Sequence, residues 1–314
     1  MANKFRDFVV PPADPCYLEL DTGELRSRAQ AAMDLMEACQ VCARRCGIDR
    51  RDVKTGVCRT GMRAVVASYG PHRGEERPLS GTNGSGTIFF ARCNLRCKFC
   101  QNFDLVCEDA GREVTAPELA AIMLRLQGLQ CHNVNLVSPS HVVPQCLEAL
   151  AAAVDKGLRL PVVYNTGGYD SLESLKLLES VVDIYMPDMK YGDNEAAQRY
   201  SGVSDYLEVN QAAVKEMHRQ VGDLVVDREG IAVRGLLVRH LVLPGDVSGT
   251  RQVLEFIRQE LGTDTYVNIM DQYFPYHEAI GHPVLGRPLR ASEYREAVTQ
   301  ARELGLWRLD HRQP

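Results

Sequence analysis

No run of 18 or more apolar residues occurs in this chain of 314 residues, so nothing in it reads as a membrane-spanning helix. The N-terminus, Met1-Ala2-Asn3-Lys4-Phe5-Arg6-Asp7, is too charged to open a secretory signal. An excess of positive charge is also missing. Thirty-six Lys and Arg face 41 Asp and Glu, a net charge of -5. That balance argues against a broad nucleic-acid or anionic-membrane surface and leaves room only for a local basic patch. The Gly-rich segment from Gly81 to Gly86 precedes an apolar run rather than a helix, so it is a poor phosphate loop. Close backbone packing at the mouth of a strand suits it better. These absences lead to the expectation of a cytoplasmic protein with one large core, or a core and a small appended domain.

What the chain has in quantity is cysteine, with 11 residues. In a reducing compartment such thiols act as metal ligands or stay free rather than pair as disulfides. Cys93, Cys97 and Cys100 are spaced C-x3-C-x2-C, one residue after the apolar run Thr87-Ile88-Phe89-Phe90-Ala91. That run reads as a buried strand. A loop leaving such a strand can fold three thiolates around a metal cluster, one short of the usual four for a cubane, leaving one iron open. The competing reading is one face of a buried helix carrying small apolar thiols. Cys39, Cys42, Cys46 and Cys58 form a second set at C-x2-C-x3-C-x11-C, in a region too short for a core of its own. They read as a metal-stapled module, with zinc and a second [4Fe-4S] cluster both open, or as four unliganded thiols. Arg44, Arg45, Arg50 and Arg51 beside them read as a solvated face or as charge offsetting a thiolate cluster. Cys16, Cys131 and Cys146 read as lone structural thiols, and Cys107 lies near enough to the trio to merit a test.

The segment Cys93-Asn94-Leu95-Arg96-Cys97-Lys98-Phe99-Cys100, with the aromatic Phe99 one place before the last cysteine, resembles the signature of the radical S-adenosylmethionine (radical SAM) enzymes. The longer stretch HRGEERPLSGTNGSGTIFFARCNLRCKFCQN looks like the branch related to pyruvate formate-lyase activating enzyme. The resemblance implies that Cys93, Cys97 and Cys100 hold a [4Fe-4S] cluster whose fourth iron takes the amino and carboxylate groups of S-adenosylmethionine. It implies reductive cleavage to methionine and a 5′-deoxyadenosyl radical, with Phe99 near the adenine. It also implies a low-potential electron donor such as a flavodoxin or ferredoxin.

From Thr87 onward strand-like and helical runs alternate. Strands are expected at Thr87–Ala91, Val134–Val137, Val162–Asn165, Asp183–Met186, Leu236–Val242 and Tyr266–Met270. Helices are expected at Ala116–Gln127, Pro144–Lys156, Leu172–Val182, Leu207–Gln220, Thr250–Leu261 and Ser292–Leu304, with another from Leu25 to Met36. Serial βα units demand right-handed crossovers and a parallel sheet. The expected fold is therefore α/β, a partial (β/α)6 barrel over residues 81–314, preceded by an N-terminal arm and Cys-rich module over residues 1–80. Gly70 to Pro78 reads as the linker between them, with His72, Glu75 and Glu76 either solvated or placed over the active site. Val225 to Ile231 reads as an inserted hairpin.

Ligands of α/β barrels gather at the C-terminal ends of the strands. After the second strand come Ser138, Ser140 and His141. Many radical SAM enzymes carry a Gly-Gly-Glu motif there for the methionine amine, and this chain departs from it. His141 is alternatively a helix cap. Asn165 and Thr166 follow the third strand and offer donors and acceptors to ribose hydroxyls or a carboxylate, beside two glycines. Asp188 and Lys190 share one face of the fourth strand end, as an active pair resembling the D-x-K segment of the activating enzymes or as a rim salt bridge. Arg239 can fork onto a cofactor carboxylate or neutralise a core carboxylate. Asp271, Gln272, Tyr273, Phe274, Tyr276 and His277 are expected as an aromatic wall with polar contacts for a substrate. His132, His218, His282 and His311 read as structural. The resulting expectation is radical chemistry on a glycine of a partner protein. Alternatives are a peptide or small-molecule substrate and, from another class, a non-catalytic iron-sulfur electron carrier or sensor.

Overall fold

The computed structural model describes residues 4–52, 56–106 and 110–310. In chain order its elements are α1 (Thr22–Asp34), β1 (Ala64–His72), α2 (Arg77–Ser80), β2 (Ser85–Phe90), α3 (Phe103–Val106), β3 (Arg112–Val114), α4 (Ala116–Gly128), β4 (Val134–Val137), α5 (Val143–Val154), β5 (Val162–Thr166), α6 (Leu172–Leu177), β6 (Ile184–Pro187), α7 (Asn194–Ser201), α8 (Tyr206–Val221), β7 (Val225–Val226), β8 (Ala232–Leu241), α9 (Thr250–Phe256), β9 (Tyr266–Met270) and α10 (Ala291–Glu303). Strands β2, β4, β5, β6, β8 and β9 lie side by side in that order and all run parallel. Among the described residues no ladder joins β9 back to β2, so the wall is a partial barrel of the expected α/β type.

Side chains alternate across each strand, and the two faces have different chemistry. Val134, Leu136, Val162, Tyr164, Leu236 and Val238 point outward into the main core, where they meet α4, α5 and α8. Asn135, Asn165, Arg239 and Asn268 take the intervening positions and line the lumen. Below them Leu79, Val163, Ile184, Met186 and Leu237 close an apolar floor. Burying this much apolar surface, at about 25 cal/mol per Å², sets the register of every strand, because a one-residue slip would turn the polar lumen row into the helix layer. Thr115 and Glu118 close a capping box at the start of α4.

The expected linker is partly a strand. β1 pairs antiparallel with β2, including Gly70 to Thr87 and Pro71 to Gly86. Its other neighbour, β3, reaches only residues 64–66, so Pro71 lies where one side of the strand is unpaired and its missing N–H costs nothing. The module also shares the barrel's core. Leu25, Met36, Val41 and Ala64 belong to the same cluster as Leu147 and Leu150. The arm lies across the barrel as expected, with Phe5 and Phe8 against Trp307 and Val9 bridged to Val226. The inserted hairpin is β7 with β8. The expected helix over Leu172–Val182 stops at Leu177, and α7 was not expected. Gly86 packs so closely on the carbonyl of Asn133 that a Cβ would stand 2.4 Å from it, the tight strand mouth anticipated for the Gly-rich segment. Cys107 and His311 lie outside the described residues.

Candidate functional site

The cysteine loop leaves the C-terminal end of β2. Arg92 and Arg96 adopt positive φ of 67° and 57°, and these two left-handed turns coil the loop on itself. The loop is pinned on two sides: Cys93 N–H donates to Val106 O at 2.9 Å and Lys98 N–H to Tyr200 O at 2.8 Å. Arg44 holds it from behind, donating to the carbonyls of Asn94 (2.9 Å), Leu95 (3.2 Å), Ser201 (3.1 Å) and Gly202 (2.7 Å). The sulfurs are furnished with donors. Leu95 N–H approaches Cys93 Sγ at 3.5 Å, and Ser201 Oγ donates to Cys97 Sγ at 3.0 Å. Burial pushes the Cys97 thiol up to about 11, with Lys190 pulling the other way.

All three cysteines line one cavity of about 160 Å³. Among the described residues no three Cys, His, Asp or Glu side chains converge on a point suited to a single ion. A cubane asks for a different geometry. Each thiolate takes its own iron, so the sulfurs stand further apart than the about 3.8 Å of a tetrahedral zinc–thiolate site. An open loop of three thiols on a shared cavity, two of them supported by donors, fits a cubane.

Across the cavity stands a charged network. Asp188 accepts from Arg239 Nε at 2.8 Å and from Lys190, and Arg239 NH2 donates to Asn165 Oδ1 at 2.8 Å. Burial opposes ionisation of Asp188, but Arg239 and Lys190 together outweigh it and hold the carboxyl below its ordinary range. Burial likewise pulls Arg239 down, and Asp188, Glu76 and Glu75 together lift it above its usual value. The expected Phe99, Ser138, Asn165, Thr166, Asp188, Lys190 and Arg239 all line this cavity together with Cys93, Cys97 and Cys100. Phe99 packs edge-on against Tyr191 and Tyr273.

Other expected residues are elsewhere. Ser138 takes a left-handed turn (φ 59°), which sends the chain behind the barrel wall. Ser140 and His141 are consequently buried at 2% and 1% exposure, outside the cavity lining. Ser140 Oγ bonds Thr166 Oγ1 and His141 Nε2 bonds Ala91 O. Gly168 approaches the carbonyl of Asp188 rather than the cavity. Of the expected aromatic wall, Tyr273 is buried but Phe274 is 60% exposed; His277 stacks on Phe103 and Tyr276 bonds Asp104. The loop after β9 thus latches onto α3 beside the cysteines. His132 accepts from Asn83 N–H, His218 meets Asp223 and His282 accepts from Val284 and Leu285 N–H, all structural contacts.

Glu76 is the residue sequence reading left undecided. It is 2% exposed, accepts from Asn268 at 2.8 Å and stands 3.9 Å from Arg239 NH1. Gln272, expected among the polar contacts after the last strand, lines the cavity, and Gln101 lines it too without a sequence signal beyond its neighbours.

A parallel partial barrel with a three-thiol loop and an ion-pair network at its strand ends defines a cofactor-binding α/β enzyme scaffold. Comparison with known proteins makes this specific. The family model described as Radical SAM superfamily matches residues 87–229. An uncharacterized protein of Methanocaldococcus jannaschii is 31% identical over 289 residues, covering 89% of this chain and 78% of that protein. The chain belongs to the radical SAM superfamily, whose members use a [4Fe-4S] cluster and S-adenosylmethionine. A crystal structure of a radical SAM methyltransferase from Sphaerobacter thermophilus superposes with a TM-score of 0.46 at 13% identity. That match covers 70% of this chain and 64% of the methyltransferase. So distant a likeness says nothing of this chain's reaction. No helix among the described residues is long and apolar enough to cross a membrane.

Proposed function

We propose that the cavity at the strand ends binds S-adenosylmethionine against a cluster held by Cys93, Cys97 and Cys100, and that the protein is a radical-generating enzyme. The observation that carries this is that Cys93, Cys97 and Cys100 line one cavity together with the Asp188–Lys190–Arg239 network. When bound, the cluster and cofactor supply one-electron reductive cleavage to methionine and a 5′-deoxyadenosyl radical.

The chain's own residues bind and orient. Asp188 presents a carboxylate kept ionised by its two cations, suited to the ammonium of the methionine moiety. Lys190 and the Arg239–Asn165 pair suit its carboxylate. Phe99, Leu241 and Met270 give an apolar face for the adenine. Leu95 N–H and Ser201 Oγ stabilise thiolates through hydrogen bonds. The latched loop after β9 narrows access for water and stray hydrogen donors.

For the substrate we propose a glycine on a partner protein, in keeping with the resemblance of residues 72–102 to the pyruvate formate-lyase activating enzymes. An exposed apolar side chain beside the mouth supports a polypeptide: Phe274 is 60% exposed. Gln101, on the cavity rim, donates to Phe274 O at 2.8 Å, which puts that surface beside the opening. Electrons come from a low-potential carrier of the flavodoxin or ferredoxin class. Binding is tested by electron paramagnetic resonance of the dithionite-reduced protein. Adding S-adenosylmethionine should change the cluster's spectrum in wild type and leave it unchanged in an Asp188→Ala/Arg239→Ala double variant. An unchanged wild-type spectrum would exclude the cofactor from this cavity.

A further inference from the structure

We propose that Cys39, Cys42, Cys46 and Cys58 hold a second iron-sulfur cluster, and that it passes electrons singly to the cluster of Cys93, Cys97 and Cys100 across Asn94.

The four cysteines are gathered by a short knot of backbone bonds. Cys39 N–H donates to Ile48 O at 2.8 Å, Gly47 N–H returns to Cys39 O at 3.1 Å, and Arg59 N–H closes onto Gly56 O at 2.9 Å. Cys39, Cys42 and Cys58 are buried, and Cys46 is half-buried against Gly56. Knot formation alone does not require a metal. A second observation points to one.

Arg50 is 1% exposed. Its guanidinium donates to the carbonyls of Thr60 (2.8 Å), Gly61 (3.0 Å) and His141 (2.8 Å), and NH1 stands 4.0 Å from Cys39 Sγ. Among the described residues no carboxylate pairs with it. A fully buried cation without a counter-charge is expensive, and carbonyl dipoles compensate only part of the cost. Among the described residues, the group within its reach that a bound metal would turn into an anion is the Cys39 sulfur. Thiolates on a metal are anions outright, and a four-thiolate cluster carries net negative charge. A metal bound by the cysteines thus supplies the charge that Arg50 lacks.

Iron is favoured over zinc by the same geometry seen at the first loop. Neither cysteine set converges on a single-ion point, whereas a zinc site would draw its sulfurs to about 3.8 Å of one another. The placement then assigns the role. Asn94 Nδ2 donates to Tyr169 O at 2.9 Å, next to Asp170, which pairs with Cys42 in an isolated bridge, and Asn94 Oδ1 stands 3.8 Å from Cys93 Sγ. Asn94 therefore lies between the cluster loop and the Cys42 segment, and Arg44 ties the module to the loop through the carbonyls of Asn94 and Leu95. The electron balance is simple. A reduced carrier protein of the flavodoxin or ferredoxin class loses one electron to the second cluster. That cluster returns to its oxidised state as the first gains the electron, and no proton or bond changes hands. The relay rests on the proposed function; the second cluster does not.

The test uses the full chain, reconstituted anaerobically with iron and sulfide. Wild type should hold about eight irons with no stoichiometric zinc, and after dithionite show two magnetically interacting spins. The Cys93→Ala/Cys97→Ala/Cys100→Ala variant should keep about four irons and one isolated spin. About four irons in wild type, with zinc or nothing at the module, would overturn the proposal without recourse to any variant. For the relay, Cys46→Ser should slow reduction of the first cluster by reduced flavodoxin at least tenfold and leave its reduction by dithionite nearly unchanged. Equal rates with flavodoxin would overturn the relay. Eight irons in a wild type that yields no 5′-deoxyadenosine would sink the proposed function and leave the second cluster standing.

Discussion

Asp188 holds two cations with one carboxylate: Arg239 Nε donates to Oδ1 at 2.8 Å, and Lys190 reaches Oδ2. All three side chains are at most 16% exposed, so the charges meet with little solvent screening. Removing the shared partner leaves buried Lys190 without its carboxylate and Arg239 with only Glu75 and Glu76, each at 3.9 Å. Asp188→Asn should therefore cost about 3 kcal/mol of stability in denaturant unfolding. It should also weaken S-adenosylmethionine binding at least tenfold by equilibrium dialysis. Wild-type affinity in this variant would mean the pair is only a rim salt bridge.

Gly168 is conformationally irreplaceable for a reason unrelated to ligand approach. Its φ is +75°, and a Cβ would lie 2.1 Å from Asn210 Nδ2 and 2.3 Å from the Asp188 carbonyl. Gly168→Ala combines a disfavoured backbone with overpacking, and should cost about 2–4 kcal/mol, read as a lowered Tm. A variant as stable as wild type would show that β5 and β6 are not packed as described.

His141 gives the fold a pH dependence. Burial first, and the nearby Arg50 second, push its imidazole down to about 3. An unfolded histidine titrates near 6.5, so below that pH the unfolded chain binds a proton that the folded chain refuses. Stability is thus fully present above about 6.5 and falls as pH drops toward 3. The loss is about 1.4 kcal/mol at pH 5.5. Unfolding measured at pH 7.5 and 5.5 should show this loss in wild type and not in His141→Gln. Equal losses in both would place the titration elsewhere.

Arg44 acts on the cysteine loop without touching the cavity. Its guanidinium donates to four carbonyls, spanning the loop and the end of α7. Arg44→Ala should speed cluster loss to a chelator several-fold. Arg44→Lys should recover little, because an ammonium cannot fork across that many acceptors. Unchanged loss rates would show that the loop holds its own shape.

The wall of the barrel was legible because its signal is local. Val134–Val137 and Tyr266–Met270 are short β-branched runs between helical periods, and both strands lie where the pattern puts them. The cysteine loop was legible by spacing alone. β1 was hidden because Gly70 and Pro71 read as linker residues, and only the unpaired flank of the strand makes Pro71 tolerable there. Ser140 and His141 were assigned by position after β4, but the direction of the chain depends on one left-handed residue, Ser138, which carries no glycine to announce it. Arg50 and Glu76 stayed open between a solvated face and a role at a site because polar residues in a polar stretch give no hint of burial. Each is buried by elements far away in sequence, Arg50 by the backbone of His141 and Glu76 by Asn268.

The central claim is tested most directly by nucleoside production. Wild type, reconstituted anaerobically and supplied with dithionite and S-adenosylmethionine, should release 5′-deoxyadenosine and methionine in equal amounts. The Cys93→Ala/Cys97→Ala/Cys100→Ala variant should release neither. A wild-type protein with its iron and sulfide fully loaded that leaves S-adenosylmethionine intact would contradict the account.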